Sequence, residues 1–307
     1  MMNNFIKGSF ALLASRVFAG LNVNCTKYLL PLWIAPAGFV AIRLFFATIF
    51  FWVIAIFEKP DMSSLADRVR MLLLGGVAVF GYMTLMAYGI TYTTPVNFAI
   101  FNATQPIWVF VISVVLCNER PTFVKVLGIV VGFVGVVVTT LSESSLSLAS
   151  NKMLGNLMAL SGSVLYAVYL LMSSALLRRV GNLVLLRYTF TGASVSAFFL
   201  WFFSGADMLH FFINWNPTAV AVFCFVLFFP TVISYLLVPI GIKYLKATVV
   251  SMFGYISLIV ATIVSLFLGQ DKFDVALLFS MLLICIGIYL VGVGEKVEKK
   301  VYNNDIK

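Results

Sequence analysis

Arg16 and Arg43 carry the chemistry that most needs an account. Each stands inside a long apolar run. Counted at about 1.5 Å per residue from the start of its run, each falls near the middle of a membrane, where a charge is costly enough to need a reason. A guanidinium in such a place grips a carboxylate or phosphate through paired hydrogen bonds, or it satisfies carbonyls at helix ends and fixes the packing. The sequence leaves both readings of Arg43 open. Arg187 lies closer to the inner edge, near enough to snorkel. None of the 11 acidic residues lies mid-span: they fall in turns, connectors or the tail, with Asp274 at the very start of the last span, so no mid-membrane carboxylate is available to bind a coupling cation, and carboxylate-based proton antiport of cationic drugs is disfavoured.

Other polar residues recur at helical steps around these arginines. Groups that cannot hydrogen-bond to lipid turn toward protein or a water-filled cavity, so the stripes outline an interior. Arg16, Gly20, Asn24 and Lys27 share one helix face, as do Gly162, Tyr166, Tyr169 and Ser173. Asn97, Asn102, Gln105 and Trp108 form a third stripe, Tyr82, Tyr88 and Tyr92 a fourth, and Thr248, Ser251, Tyr255 and Thr262 a fifth. Pro230 and Pro239 bracket Thr231, Ser234 and Tyr235, and each proline is expected to release a backbone carbonyl from helical pairing. The candidate cavity residues are therefore Arg16, Asn24, Arg43, Tyr82, Tyr88, Asn102, Gln105, Trp108, Tyr166, Tyr169, Ser234, Tyr235, Ser251 and Tyr255. Any one of these polar side chains is as well explained by helix-to-helix hydrogen bonding, but six helices presenting such faces point to a shared cavity.

Stepping from residues to elements, 62% of the 307 residues are apolar and only 10% charged. The mean hydropathy is +1.08. That is more apolar surface than a soluble core hides, so lipid is the solvent. Apolar runs over residues 5–28, 34–57, 71–90, 96–117 and 123–141 predict five spans, each near the length that crosses a bilayer. A serine-rich connector, 142–152, precedes five more spans at 153–177, 183–204, 218–242, 247–268 and 273–294. A charged tail, 295–307, closes the chain. The fold class expected is an all-α integral membrane protein of ten transmembrane helices. Residues 1–20 resemble a secretory signal in composition, but an uncleaved first span is expected.

Lysines and arginines fix the orientation. With the N-terminus inside, the inner segments hold Lys7, Lys59, Arg68, Arg70, Arg120, Lys125, Arg178, Arg179, Lys243, Lys246, Lys296, Lys299, Lys300 and Lys307, and the outer ones only Lys27, Lys152 and Lys272. Both termini are expected in the cytoplasm. Laying residues 89–135 on 241–287 aligns Gly89 with Gly241, Tyr92 with Tyr244, Ser113 with Ser265 and Gly135 with Gly287. Thr91 and Thr94 become Lys243 and Lys246, the change an inverted copy requires when an outer turn becomes an inner one. The halves 5–141 and 153–294 are thus expected to be two inverted five-helix repeats.

Several classes of function find no support. Cys25, Cys117, Cys224 and Cys285 are isolated in apolar runs, which fits neither disulfides nor a metal site. No cofactor is implied. The net charge of +9 forms no stripe for a nucleic-acid backbone. His210 sits in an outer connector, and Gly192, Ser194 and Ser196 lack the second glycine of a nucleophile elbow, so an enzyme is not expected. The fifth and tenth spans lack polar stripes and are expected at the periphery. Their small residues, Gly128, Gly132 and Gly135 with Gly287, Gly292 and Gly294, suit close packing within the chain, giving a monomer or weak homodimer.

Several motifs together resemble the EamA family of the drug/metabolite transporter superfamily. Gly20, Asn22 and Lys27 are similar to its G-x-N-x-x-x-x-K first helix, and Arg43 follows Pro36 at that family's arginine position. The stretch from Thr104, Gln105 and Pro106 through Asn118, Glu119, Arg120 and Pro121 to Gly128 and Gly135 resembles the pattern ending each unit. In the second copy, Leu258 stands where Pro106 aligns and Gln270, Asp271 and Lys272 replace Asn118, Glu119 and Arg120. The resemblance implies ten helices around a central cavity lined by spans one to four and six to nine. It also implies carriage of amino acids, other small metabolites or drugs, usually outward. The function expected is a secondary transporter of a small polar solute, an amino acid or organic anion, exported by alternating access across the inner membrane of a bacterium. An intramembrane enzyme and a non-transporting receptor or scaffold are the alternatives.

Overall fold

The structure, a computed structural model, describes residues 2–58, 61–117, 122–141, 151–205, 216–245, 247–271 and 275–305. Lys59, the turn from Asn118 to Pro121, the connector 142–150, the outer loop with His210, and Lys246, Lys272 and Lys307 lie outside the described residues, as do the side chains of Cys117, Thr248 and the tail.

Among the described residues every regular element is helical, as lipid demands of a backbone that must pair with itself. The helices are α1 (Met2–Leu29), α2 (Pro36–Ala55), α3 (Leu65–Tyr92), α4 (Pro95–Asn102), α5 (Gln105–Cys117) and α6 (Phe123–Leu141). They continue as α7 (Lys152–Leu176), α8 (Asn182–Ser204), α9 (Pro217–Tyr244), α10 (Ala247–Met252), α11 (Gly254–Phe267) and α12 (Val275–Asp305). Seven described stretches are long and apolar enough to cross a membrane, and shorter apolar segments lie within α6 and α12.

Local chemistry sets the helix starts. The Ser64 hydroxyl accepts from the Asp67 amide and donates to its carboxylate at 2.9 Å, so α3 begins six residues before the apolar run at 71. Pro36, Pro95 and Pro217 open α2, α4 and α9, where the missing amide hydrogen is no loss. Thr94 and Asn216 cap the last two through their side chains.

The structure differs from the sequence reading at four places. The fourth and ninth spans are each two helices, broken at Ala103–Thr104 and at Phe253. The final helix runs on through the charged tail to Asp305. Pro230 sits in a wide π turn, Leu227–Ile233, and the Val226 carbonyl that it cannot pair with is taken by the Thr231 hydroxyl at 2.7 Å. That carbonyl is therefore not offered to a solute.

Several element boundaries recur at one spacing along the chain. A π turn opens at Gly75 in α3 and at Leu227 in α9; α3 and α9 end at Tyr92 and Tyr244; α4 and α10 begin at Pro95 and Ala247. Each pair is 152 residues apart. Packing follows the same pattern: α1 lies against α9 and α11 while α7 lies against α3, α4 and α5, α2 pairs with α8, and α6 with α12. Glycine permits the close approach of α3 to α8 and of α6 to α12. A Cβ on Gly75 would collide with the Thr189 carbonyl and one on Gly192 with the Leu72 carbonyl, so α3 and α8 touch backbone to backbone. Gly287 of α12 seats against Gly128 and Gly132 of α6 in the same manner.

We expect Gly192→Ala to lower the thermal stability of the purified protein by about 1–3 kcal/mol through overpacking. Gly254→Ala, with nothing within 4 Å of the added carbon, should leave the melting temperature unchanged.

Candidate functional site

The polar faces of α1, α2, α3, α4, α7 and α9 meet at one central cavity of about 40 Å³. Seven of the residues singled out in the sequence line it: Arg16, Arg43, Tyr82, Asn102, Tyr166, Ser234 and Tyr235. Arg43 is buried, its Nε donates to Thr231 Oγ1 at 2.9 Å, and its guanidinium lies 5.2 Å from the Phe39 ring centroid. Since Thr231 in turn donates to the carbonyl freed by Pro230, the π turn holds an acceptor ready for the arginine. Arg16 is only 4% exposed, with Nε and Nη2 unpartnered and its charge 5.3 Å from the Tyr166 ring centroid. None of the residues lining the cavity is acidic.

Aromatic rings form a continuous wall. Tyr82 meets Tyr166 at 4.9 Å between centroids, Tyr166 meets Tyr169 at 5.7 Å, and Tyr169 meets Tyr235 at 5.9 Å. Tyr169 is thus in the wall but behind the lining. Ser15 and Ser234 exchange hydrogen bonds with each other's carbonyls at 3.4 and 3.3 Å, which pins α1 to α9 beside Arg16. Gln105 donates to Asn102 at 2.8 Å and fixes that amide across the α4–α5 break.

Five of the candidates lie away from the cavity. Asn24 donates to the Ala261 carbonyl at 3.1 Å and ties α1 to α11. Trp108 donates to Thr104 at 3.2 Å. Ser251 is buried in α10, while Tyr88 and Tyr255 are partly exposed. The sequence reading did not single out Ser15, Asn22, Met83 and Met86 as lining residues. Asn22 and Ser15 were within reach of it, two residues from Asn24 and next to Arg16, but the methionines carry no polar signal.

Arg187, near the start of α8, reaches a carboxylate far away in the sequence. It pairs with Asp61 at 2.6 Å, both side chains 11% exposed, and lies 5.0 Å from the Trp52 ring centroid. Tyr188 donates to the same carboxylate at 2.9 Å, and Arg68 approaches it at 3.4 Å. Arg179 stands 3.8 Å from Asp67. Burial pushes the Asp61 carboxyl up, but hydrogen bonds from Ser63, Tyr188 and Arg187 outweigh it and hold the group well below the usual carboxylate range. Beside this cluster a cleft of about 510 Å³ opens between the end of α2 and the turn from α7 to α8.

A family model described as the EamA-like transporter family matches residues 6–141 and again 153–293. The protein named "Uncharacterized transporter YyaM" of Bacillus subtilis (strain 168) is 26% identical over 266 residues, covering 84% of this chain and 85% of that one. An "Uncharacterized transporter" of Archaeoglobus fulgidus is 28% identical over 168 residues, 55% of this chain and 58% of its own. A solved crystal structure superposes with a TM-score of 0.63 at 17% identity, over 97% of this chain and 99% of the other. It shares the fold.

Removing the charge from Asp61 leaves Arg187 buried without its counterion. Asp61→Asn is expected to cost roughly 3 kcal/mol of stability, and the reversed pair, Asp61→Arg with Arg187→Asp, to recover part of it. Because the folded carboxyl titrates below its unfolded value, its contribution is complete above the ordinary carboxylate pKa of about 3.9 and fades only as acid goes below that value. The wild-type minus Asp61→Asn difference in melting temperature should therefore be flat from pH 8 to 5.

Proposed function

The chain belongs to the EamA-like transporter family, a multi-pass membrane transporter by that membership, and we propose that it carries a small polar metabolite, an amino acid or organic anion, outward by alternating access. The observation that carries the choice of cargo is the pair of buried guanidiniums in a cavity whose lining has no acid. Such a site attracts a negative group and repels a cation.

In this reading the chain crosses the cytoplasmic membrane of a bacterium ten times, with α4–α5 and α10–α11 each forming one broken span and both termini inside. The two halves are inverted repeats. The twofold family match, the element boundaries 152 residues apart and the reciprocal packing all support this. The lysine and arginine bias then assigns the Asp61 cluster to the inner side. On the outer side Asp271 accepts from the Val96 amide at 2.9 Å and from Ser265 at 2.7 Å, and Lys27 donates to the carbonyls of Ile90 and Thr93 at 2.9 and 2.8 Å. The Asp61 cluster and the Asp271–Val96 bond thus join the halves at the two ends of a cavity of about 40 Å³, room for water and not for a metabolite. The halves must rock apart to admit cargo, breaking the Asp61 cluster to open inward and the Asp271 contacts to open outward.

Counterflow in proteoliposomes over amino acids, organic acids and phosphorylated metabolites should find an accumulated solute, with Arg43→Ala reducing its rate at least tenfold. No accumulation across the panel, or an unaffected Arg43→Ala variant, overturns the reading. On a cysteine-free background, Thr91→Cys and Lys243→Cys should be labelled from opposite sides of the membrane. Labelling from one side would rule out inverted halves.

A further inference from the structure

Arg16 and Arg43 share a cavity but are not equivalent. Arg43 spends its Nε on Thr231 and rests on the Phe39 ring, so it is anchored by the protein itself. Arg16 is as deeply buried, yet Nε and Nη2 have no partner. These two nitrogens lie on the same edge of the guanidinium plane, and their parallel N–H bonds match the two oxygens of one carboxylate. A buried donor pair that no protein group meets is costly unless something else meets it, so the edge is complementary to what enters the cavity.

The rest of the lining narrows what arrives. No acidic residue lines the cavity to receive an ammonium group, and an α-ammonium beside a carboxylate held on Arg16 would sit in the field of two guanidiniums. Once the halves part to make room, the walls beyond the arginines offer Val23, Met83, Met86, Tyr166, Pro230 and Val238, surfaces for an uncharged apolar body. A phosphate brings a third oxygen and further charge that need another donor, while the Asn102 side chain is already hydrogen-bonded to both Gln105 and Tyr82 and the Asn22 amide donates to Met86 Sδ at 3.4 Å. Resting on the transporter reading and narrowing it, we infer that Arg16 is the carboxylate anchor of a site for compact monocarboxylates that carry an apolar body and no ammonium group.

The test is calorimetric binding to the purified full-length protein of five compounds on one carbon frame: 4-methylpentanoate, leucine, isopentylamine, 4-methylpentanamide and isopentyl phosphate. 4-Methylpentanoate should bind, leucine and isopentyl phosphate at least tenfold more weakly, and the amine and amide not measurably. Arg16→Lys, which keeps the charge and loses the paired edge, should weaken 4-methylpentanoate at least tenfold. If that variant does not fold, the acid-to-amide ratio of the wild type carries the test. Leucine, the amine or the phosphate binding as tightly as the acid, an undiminished Arg16→Lys, or no binding by any of the five overturns the inference. Binding of the acid without counterflow of any solute would sink the transporter reading and spare this site, whereas leucine counterflow that 4-methylpentanoate does not inhibit would do the reverse.

Discussion

A charge inside hydrocarbon has no water to solvate it, and an arginine at the centre of a span costs about 2.5–3.5 kcal/mol even by the mildest scale. Two such arginines face one another's neighbourhood here with no carboxylate in the lining between them. Much of the central architecture reads as accommodation of that fact. Pro230 widens α9 into a π turn, Thr231 takes the carbonyl that the proline strands, and the same hydroxyl accepts from Arg43. Arg16 finds the face of Tyr166, and a run of tyrosine rings carries that contact across to α9. Negative ring faces and hydroxyl dipoles thus stand in for a formal counterion.

Counter-charge is instead kept at the ends of the bundle, where water reaches it. Asp61 and Asp67 meet Arg187 and Arg179 at one place, and Asp271 meets the start of α4 at another. Each of these contacts joins one family-matched segment to the other. Apolar helix faces slide past each other in lipid with little directional preference, because lipid tails compete on equal terms. The ion pairs and amide contacts therefore add the angular definition that greasy packing lacks, and they do so where separation can be repaid by hydration.

The sequence made the helices legible because composition and run length respond to the same solvent that shapes the fold. The two arginines and the tyrosine faces of α7 and α9 were legible too, since a polar residue in an apolar run has few places to go. Other features were not. The break at Phe253 lies in a largely apolar run with only Gly254 beside it as a mark, and the one at Ala103–Thr104, though flanked by Asn102, Gln105 and Pro106, falls inside a stretch whose total length suits one span. The pairing of Arg187 with Asp61 depends on a residue 126 positions away, and without it snorkelling stays open. Asn24 shows a different limit: the face it shares with Arg16 is real, but its amide reaches α11 before it reaches the cavity. Periodicity finds the face of a helix and not the depth at which a neighbour intervenes.

The first helix finds its partners late. Asn24 reaches Ala261, 237 residues further on, and Ser15 trades hydrogen bonds with Ser234, 219 residues away. As the polypeptide leaves the ribosome, α1 therefore enters the bilayer with Arg16 in it long before α9 and α11 exist to enclose that charge. Assembly of the centre is in consequence a post-insertion event, and the interval between the two is when this chain is most exposed to membrane quality control.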